Sequence, residues 1–69
     1  LARDFASYGQ EAQPGAIGAI MVMNNHVGVV VGQCENGQTQ IVSGNYSNRV
    51  ALGCYNPGRA IAWRAPVRH

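Results

Sequence analysis

The first nine residues carry apolar side chains at helical spacing. Leu1, Phe5 and Tyr8 lie at positions i, i+4 and i+7, which would place them on one face of an α-helix. Gly9 follows at the position where glycine commonly ends a helix. The pattern therefore predicts a short helix over residues 1–9.

After Pro14 and Gly15, which suit the centre of a type II turn, the spacing becomes typical of strands. Runs of β-branched and apolar residues alternate with turn residues, and Asn36-Gly37 favours a type I′ hairpin between two of these runs. We expect an α+β fold in a single domain or fragment, with a helix over about 1–9, an antiparallel sheet over about 17–64 and a loose tail over 65–69. The five predicted strands cover residues 17–23, 26–32, 39–42, 50–55 and 60–64.

Composition limits the chain to one small domain and excludes several classes of protein. The 69 residues are 46% hydrophobic but only 12% charged, which argues against a coiled coil or a charged disordered chain. The net charge of +2 comes from scattered arginines, a weak signal for nucleic-acid binding. No apolar stretch approaches the length of a membrane span, and the start lacks the pattern of a signal peptide. A domain this small often depends on a disulfide or a partner.

His26 is the main candidate for chemistry because the other histidine, His69, ends the sequence. Alternation along a strand places His26 on one face with Gly28 and Gly32, and this bare face would let a helix or a substrate approach closely. A hairpin centred on residues 36–37 brings His26 opposite residues 45–47, near amide and hydroxyl groups. These groups belong to Ser43, Asn45, Ser47 and Asn48.

An asparagine in this cluster could take part in the chemistry of His26. The carbonyl of an Asn side chain can accept an imidazole N–H and fix the direction of the ring, as in Cys-His-Asn hydrolases. The alternatives are a histidine that only contacts water at a strand end and an Asn45 that only serves a turn.

Neither cysteine can act as a nucleophile beside His26. Cys34 lies eight residues further along the same strand, about 26 Å away at 3.3 Å per residue. We expect Val42 to pair with Val50, which would put Cys54 beside Gln38 at the same far end of the sheet. We expect the two cysteines to be buried free thiols, and a disulfide between them is the alternative. We expect no metal and no cofactor, since there is no Cys-x-x-Cys motif and no His pair at ligand spacing.

Four segments together resemble a known group of enzymes. They are Pro-Gly-Ala-Ile with the apolar run that follows it, over residues 14–23, His-Val-Gly-Val-Val-Val-Gly at 26–32, Val-Ser-Gly-Asn-Tyr-Ser-Asn-Arg-Val at 42–50 and the segment 59–64. In this order and spacing they resemble the C-terminal half of papain-like cell-wall hydrolases, the CHAP and NlpC-type amidases and peptidases. The resemblance spans residues 1–64, but Ala16 stands where the family usually has Asp.

The resemblance implies half of a papain-like cysteine hydrolase fold and a division of catalytic roles. His26 would be the general base that activates a thiol, and Asn45 would orient its imidazole. Gly44, Ser47 and Asn48 would contact substrate. The nucleophilic cysteine would belong to a companion chain or segment on the N-terminal side, so the chain alone would be inactive.

The implied reaction is cleavage of an amide bond in peptidoglycan, by a bacterial or phage protein that is secreted, periplasmic or otherwise in the bacterial cell envelope. We expect Phe5, Val30 and Trp63 to provide apolar surface for the companion, although each could equally be core. The main alternative is a non-catalytic, SH3-like β-barrel module that binds peptide or cell wall. A basic nucleic-acid binder is a third reading, which strong salt dependence would reveal.

Overall fold

A computed structural model of the chain describes residues 9–44 and 50–65, which form a six-stranded antiparallel sheet. The spatial order of the strands is β1-β6-β2-β3-β4-β5. Two short 3₁₀ turns, Glu35–Gly37 and Pro57–Arg59, follow β3 and β5. The strands are β1 (Gln10–Glu11), β2 (Ile20–Val22), β3 (Val27–Gln33), β4 (Thr39–Gly44), β5 (Val50–Tyr55) and β6 (Ala62–Ala65).

The predicted α+β class is wrong, because the described residues form an all-sheet domain with no helix of seven residues or more. Residues 1–8 of the predicted helix lie outside the described residues, so the correction rests on the six strands and on the absence of a helix from 9–44 and 50–65. The pattern missed β1, which pairs Gln10 with Ala65 and Glu11 with Arg64. Two exposed polar residues give no alternation to read, and their pairing with β6 makes them a strand.

Both predicted turns are confirmed. The amide of Ala16 donates to the carbonyl of Gln13 at 3.1 Å, and Gly15 has the positive φ of 75° that a type II turn requires. Asn36 and Gly37 have φ values of 64° and 76° and join β3 to β4 in a hairpin. The register of this hairpin shifts between Val30 and Gly32, an irregularity that period-2 counting does not reveal.

The core lies against one face of the sheet. Its buried side chains include Met21, Val30 and Ile41, each at most 1% exposed, and the part-buried rings of Tyr55 and Trp63 pack against it. The face beside Gly28 is therefore not bare as expected. A Cβ on Gly28 would lie 2.8 Å from Cδ1 of Ile41, so the chain's own isoleucine occupies this space. Val30 belongs to the core and does not offer free surface to a companion.

The expectation of free thiols is wrong, because Cys34 and Cys54 form a disulfide with a Cα–Cα distance of 6.1 Å. In a flat sheet, strands on either side of β4 would lie about 9.5 Å apart, too far to be bridged. Cys34 comes just after β3 ends, at the start of the turn, where the chain can bend across β4. Cys54 lies opposite Gln40 on β4, two residues from the position we predicted.

The ends of the sheet also differ from expectation. Ala65, assigned to the loose tail, is the last residue of β6 and pairs with Gln10. The rest of that predicted tail, residues 66–69, lies outside the described residues. The predicted strand over 50–55 agrees with β5, whereas the apolar run over 17–23 contains only the three residues of β2.

Candidate functional site

His26 is held at the start of β3 by a tight connection from β2. The amide of Met23 donates to the carbonyl of His26 at 2.9 Å across Asn24 and Asn25, which closes the hairpin directly before the imidazole. β2 and β3 pair next to this turn, with Val22 opposite Val27. The backbone of His26 is thus fixed by the sheet, and the half-buried imidazole extends from a defined position.

Ser43 on β4 contacts the imidazole directly. Its Oγ lies 3.0 Å from Nε2 of His26 in a part-buried hydrogen bond. The register explains the contact, since Val29 lies opposite Val42 and Ser43 is one residue further toward the His26 end of β3. With Nε2 engaged, Nδ1 is the ring nitrogen that has no hydrogen-bond partner among residues 9–44 and 50–65.

Tyr55, at the end of β5, stacks on the imidazole ring of His26. The ring centroids of Tyr55 and His26 lie 5.5 Å apart at an interplanar angle of 27°. Gly53 makes this possible, because a Cβ at Gly53 would lie 2.8 Å from Cε1 of Tyr55. The missing side chain at Gly53 lets the Tyr55 ring lie back along its own strand.

Arg59 extends the same cluster. Its guanidinium carbon lies 5.6 Å from the centroid of the Tyr55 ring, within the range of a cation–π contact. The turn that carries it is closed by Oδ1 of Asn56, which accepts from the amide of Gly58 at 2.8 Å, and by the amide of Ala60, which donates to the carbonyl of Pro57. We call His26, Ser43, Tyr55 and Arg59 the histidine cluster.

The structure brings together only some of the residues expected from the sequence. His26 and Ser43 are in contact, as expected of a histidine near the predicted hydroxyl and amide groups. Gly44 is the exposed last residue of β4, opposite Val50. Asn45, Ser47 and Asn48 lie outside the described residues, and the orienting role expected of Asn45 stays a prediction.

Tyr55 and Arg59 were not predicted from the sequence, and no pattern singled out Ser43 as the partner of His26. The glycine two residues before Tyr55 was a weak signal that the ring could fold back along the strand. The contact between Tyr55 and His26 depends on the alignment of β3 with β4 and of β4 with β5, and both alignments join residues that are distant in the sequence.

The histidine cluster can hold and transfer a proton, but it contains no thiol. The chain has two cysteines, and both are in the disulfide. Within the described residues there is also no group of three side chains that could hold a metal ion. The arrangement fits general acid–base chemistry toward a nucleophile or substrate that approaches Nδ1.

Comparisons with known proteins do not assign a family. No protein-family model, curated protein or solved structure matches this chain. Among residues 9–44 and 50–65, the structure contains no helix with the length and apolar character needed to cross a membrane. The case for a function therefore depends on the motifs of the sequence and on the contacts of His26.

Proposed function

We propose that this chain supplies the acid–base histidine of a cysteine amidase or peptidase that cleaves an amide bond in peptidoglycan. The observation that carries the proposal is the engagement of one imidazole nitrogen of His26 by Ser43 at 3.0 Å, with Nδ1 left for a thiol. A hydrogen bond at one nitrogen restricts where the other nitrogen points, as a third catalytic residue does in hydrolases of this type. The proposed chemistry uses the tautomer in which Nε2–H donates to Oγ of Ser43 and Nδ1 accepts the thiol proton.

The chemistry requires a cysteine from outside the described residues. A thiolate attacks the carbonyl carbon of the amide, and the imidazole takes the thiol proton and later gives it to the leaving amine. Because both cysteines of this chain are bridged, the nucleophile has to come from a companion chain or segment that places a thiol near Nδ1 of His26. The disulfide is also consistent with our expectation of a secreted or envelope protein, since such compartments are oxidising.

The test uses the complete protein, with the cysteine-bearing companion or segment in place, and purified peptidoglycan as substrate. We expect His26→Gln to abolish release of new amino groups while binding to peptidoglycan is retained. His69→Gln, the other histidine of the chain, is the matched control. An intact protein that releases no amino groups, or a His26→Gln variant with unchanged hydrolysis, would contradict the proposal.

A second candidate function follows from the all-sheet architecture. The face opposite the core has a shallow depression of about 240 Å³ next to the exposed side chain of Val29, lined also by Ile20 and Val42. A small sheet domain with an apolar depression can bind peptide or cell wall without catalysis, as an SH3-like module would. Val29→Asp should weaken binding to peptidoglycan in that case, whereas His26→Gln should change nothing.

A further inference from the structure

We propose that Arg59, seated over Tyr55, binds a carboxylate of the peptide whose amide bond is cleaved. The inference rests on the proposed function and adds the chemical class of the substrate. It starts from the positions of Arg59 and His26, which contact the same aromatic ring. A substrate held at the imidazole therefore has a fixed cation within reach.

The Arg59 side chain is exposed, but the backbone of the turn that carries it is held in place. Three hydrogen bonds define its turn, one from the side chain of Asn56 and two within the backbone of residues 56–60. The contact with Tyr55 then restricts the guanidinium over the ring. A restricted cation loses less conformational freedom on binding than a free surface side chain does, so it is better suited to recognition.

The charge of Arg59 is not neutralised within the described residues. No ion pair between Arg59 and an acid occurs in residues 9–44 and 50–65, and its contact there is the uncharged Tyr55 ring. A guanidinium over an aromatic ring keeps N–H groups at its edge, and these match the two oxygens of a carboxylate. The arrangement therefore fits an anionic ligand with planar, paired acceptors.

The spacing limits where the carboxylate lies in the substrate. The centroid of Tyr55 is 5.5 Å from that of His26 and 5.6 Å from the guanidinium carbon. Added together, these two distances equal the length of about three residues of extended peptide. The carboxylate should thus belong to a residue within about three positions of the bond that is cleaved.

Peptides of the bacterial wall offer such groups, because they contain acidic residues and end in a carboxylate. The source of the bound carboxylate is either an acidic side chain or the peptide terminus. Soluble wall peptides in three forms separate these sources: the free acid, the side-chain amide and the C-terminal amide. Arg59 should recognise the form in which its carboxylate is intact, and amidation of that one group should remove the recognition.

The experiment measures kcat and KM of the complete protein, wild type and Arg59→Gln, on the three peptides. We expect Arg59→Gln to raise KM about fivefold on the free acid, the size of an exposed charge pair, with kcat little changed. Amidation of the recognised carboxylate should raise the wild-type KM equally and leave that of Arg59→Gln unchanged. Arg59→Lys, which keeps the charge but loses the paired N–H groups, should lie between the two.

Arg64→Gln is the matched control because it also lowers the net charge from +2 to +1. Arg64 lies opposite Ile20, whose other partner is the exposed Val29, so it belongs to the face away from the core and from His26. A fivefold rise in KM for Arg64→Gln as well, or a wild-type KM that neither amidation changes, would overturn the inference.

Binding measured without turnover separates this inference from the proposed function. Calorimetric titration of the free-acid peptide into the His26→Gln variant, with and without Arg59→Gln, reports recognition alone. Arg59-dependent binding, together with a wild-type protein that hydrolyses nothing, would support the carboxylate site and refute the amidase. Hydrolysis together with binding that ignores Arg59 would refute the carboxylate site and leave the amidase standing.

Discussion

Removal of the disulfide should have a large and calculable effect on stability. Cys34 and Cys54 are separated by 20 residues, and the loop they close contains the whole of β4. Closing a loop of this length in the unfolded chain removes conformational entropy worth about 3 kcal/mol at 25 °C. Because a domain of 69 residues has a small core, this is a large part of the stability that such a domain commonly has.

The variant Cys34→Ala/Cys54→Ala replaces both cysteines, so no free thiol remains to form other bridges. Urea unfolding followed by the fluorescence of Trp63, the one tryptophan of the chain, should give a midpoint lower by about 1–3 M at the slopes typical of small domains. Intact mass before and after reduction checks the premise, since reduction of the wild type should add the mass of two hydrogen atoms.

Two results would refute this reasoning. If reduction leaves the mass of the wild type unchanged, the bridge between Cys34 and Cys54 does not form in the protein. If the bridge forms but the variant unfolds at the same urea concentration, the loop does not limit the unfolded chain as calculated. Wild-type protein unfolded in the presence of a reducing agent is the control, and it should match the alanine variant.

Three further substitutions test the packing and the turn near the histidine cluster by the same unfolding measurement. Gly28→Ala should lower the free energy of unfolding by about 1–3 kcal/mol, because the added methyl group would lie 2.8 Å from Ile41. Gly32→Ala is its matched control on the same strand and should be tolerated, since the methyl group meets only the flexible end of Gln40 at 3.3 Å. Asn56→Ala removes the bond to the turn of Arg59 and should cost about 1 kcal/mol, and no loss would show that the backbone bonds suffice.

The sequence pattern predicts local structure in this chain better than it predicts which strands meet. The turn at Pro14-Gly15 and the hairpin at Asn36-Gly37 depend on backbone angles that these residues favour, and both are present. β5 also occupies the predicted residues 50–55, where turn residues limit an apolar run. In each case the signal and the structure involve the same few neighbouring residues.

The missed features all depend on contacts between distant residues. β1 exists because it pairs with β6, and its own polar residues carry no periodicity. The disulfide depends on a bend across β4 that no spacing rule contains. The predicted pairing of Val42 with Val50 is wrong by two residues, since Val42 lies opposite Leu52. An error of two residues keeps the side chains of β5 on the predicted face. The shift between Val30 and Gly32 does not, because it puts Gly32 opposite Gln40, on the face of Val29 and away from the face that alternation assigned to it.

In the candidate site, too, local features were predictable and contacts between distant residues were not. His26 could be identified because it precedes a Val-rich strand and the other histidine ends the sequence, and its contact with Ser43 follows from one hairpin. The contact with Tyr55 requires a second alignment, that of β4 with β5, as well as the bare Gly53. Arg59 is one contact further from the histidine and was correspondingly harder to predict.

Neighbouring residues at the end of β5 link the stability of the domain to the candidate site. Cys54 and Tyr55 point to opposite sides of the strand, as consecutive strand residues do. Cys54 is bonded to Cys34, while Tyr55 stacks on His26 and contacts Arg59. The bridge therefore holds the part of β5 that carries the aromatic ring and, through Tyr55, the cation. Since no other strand is bonded to β5 on its outer edge within the described residues, the disulfide and the pairing with β4 together keep the ring against the imidazole.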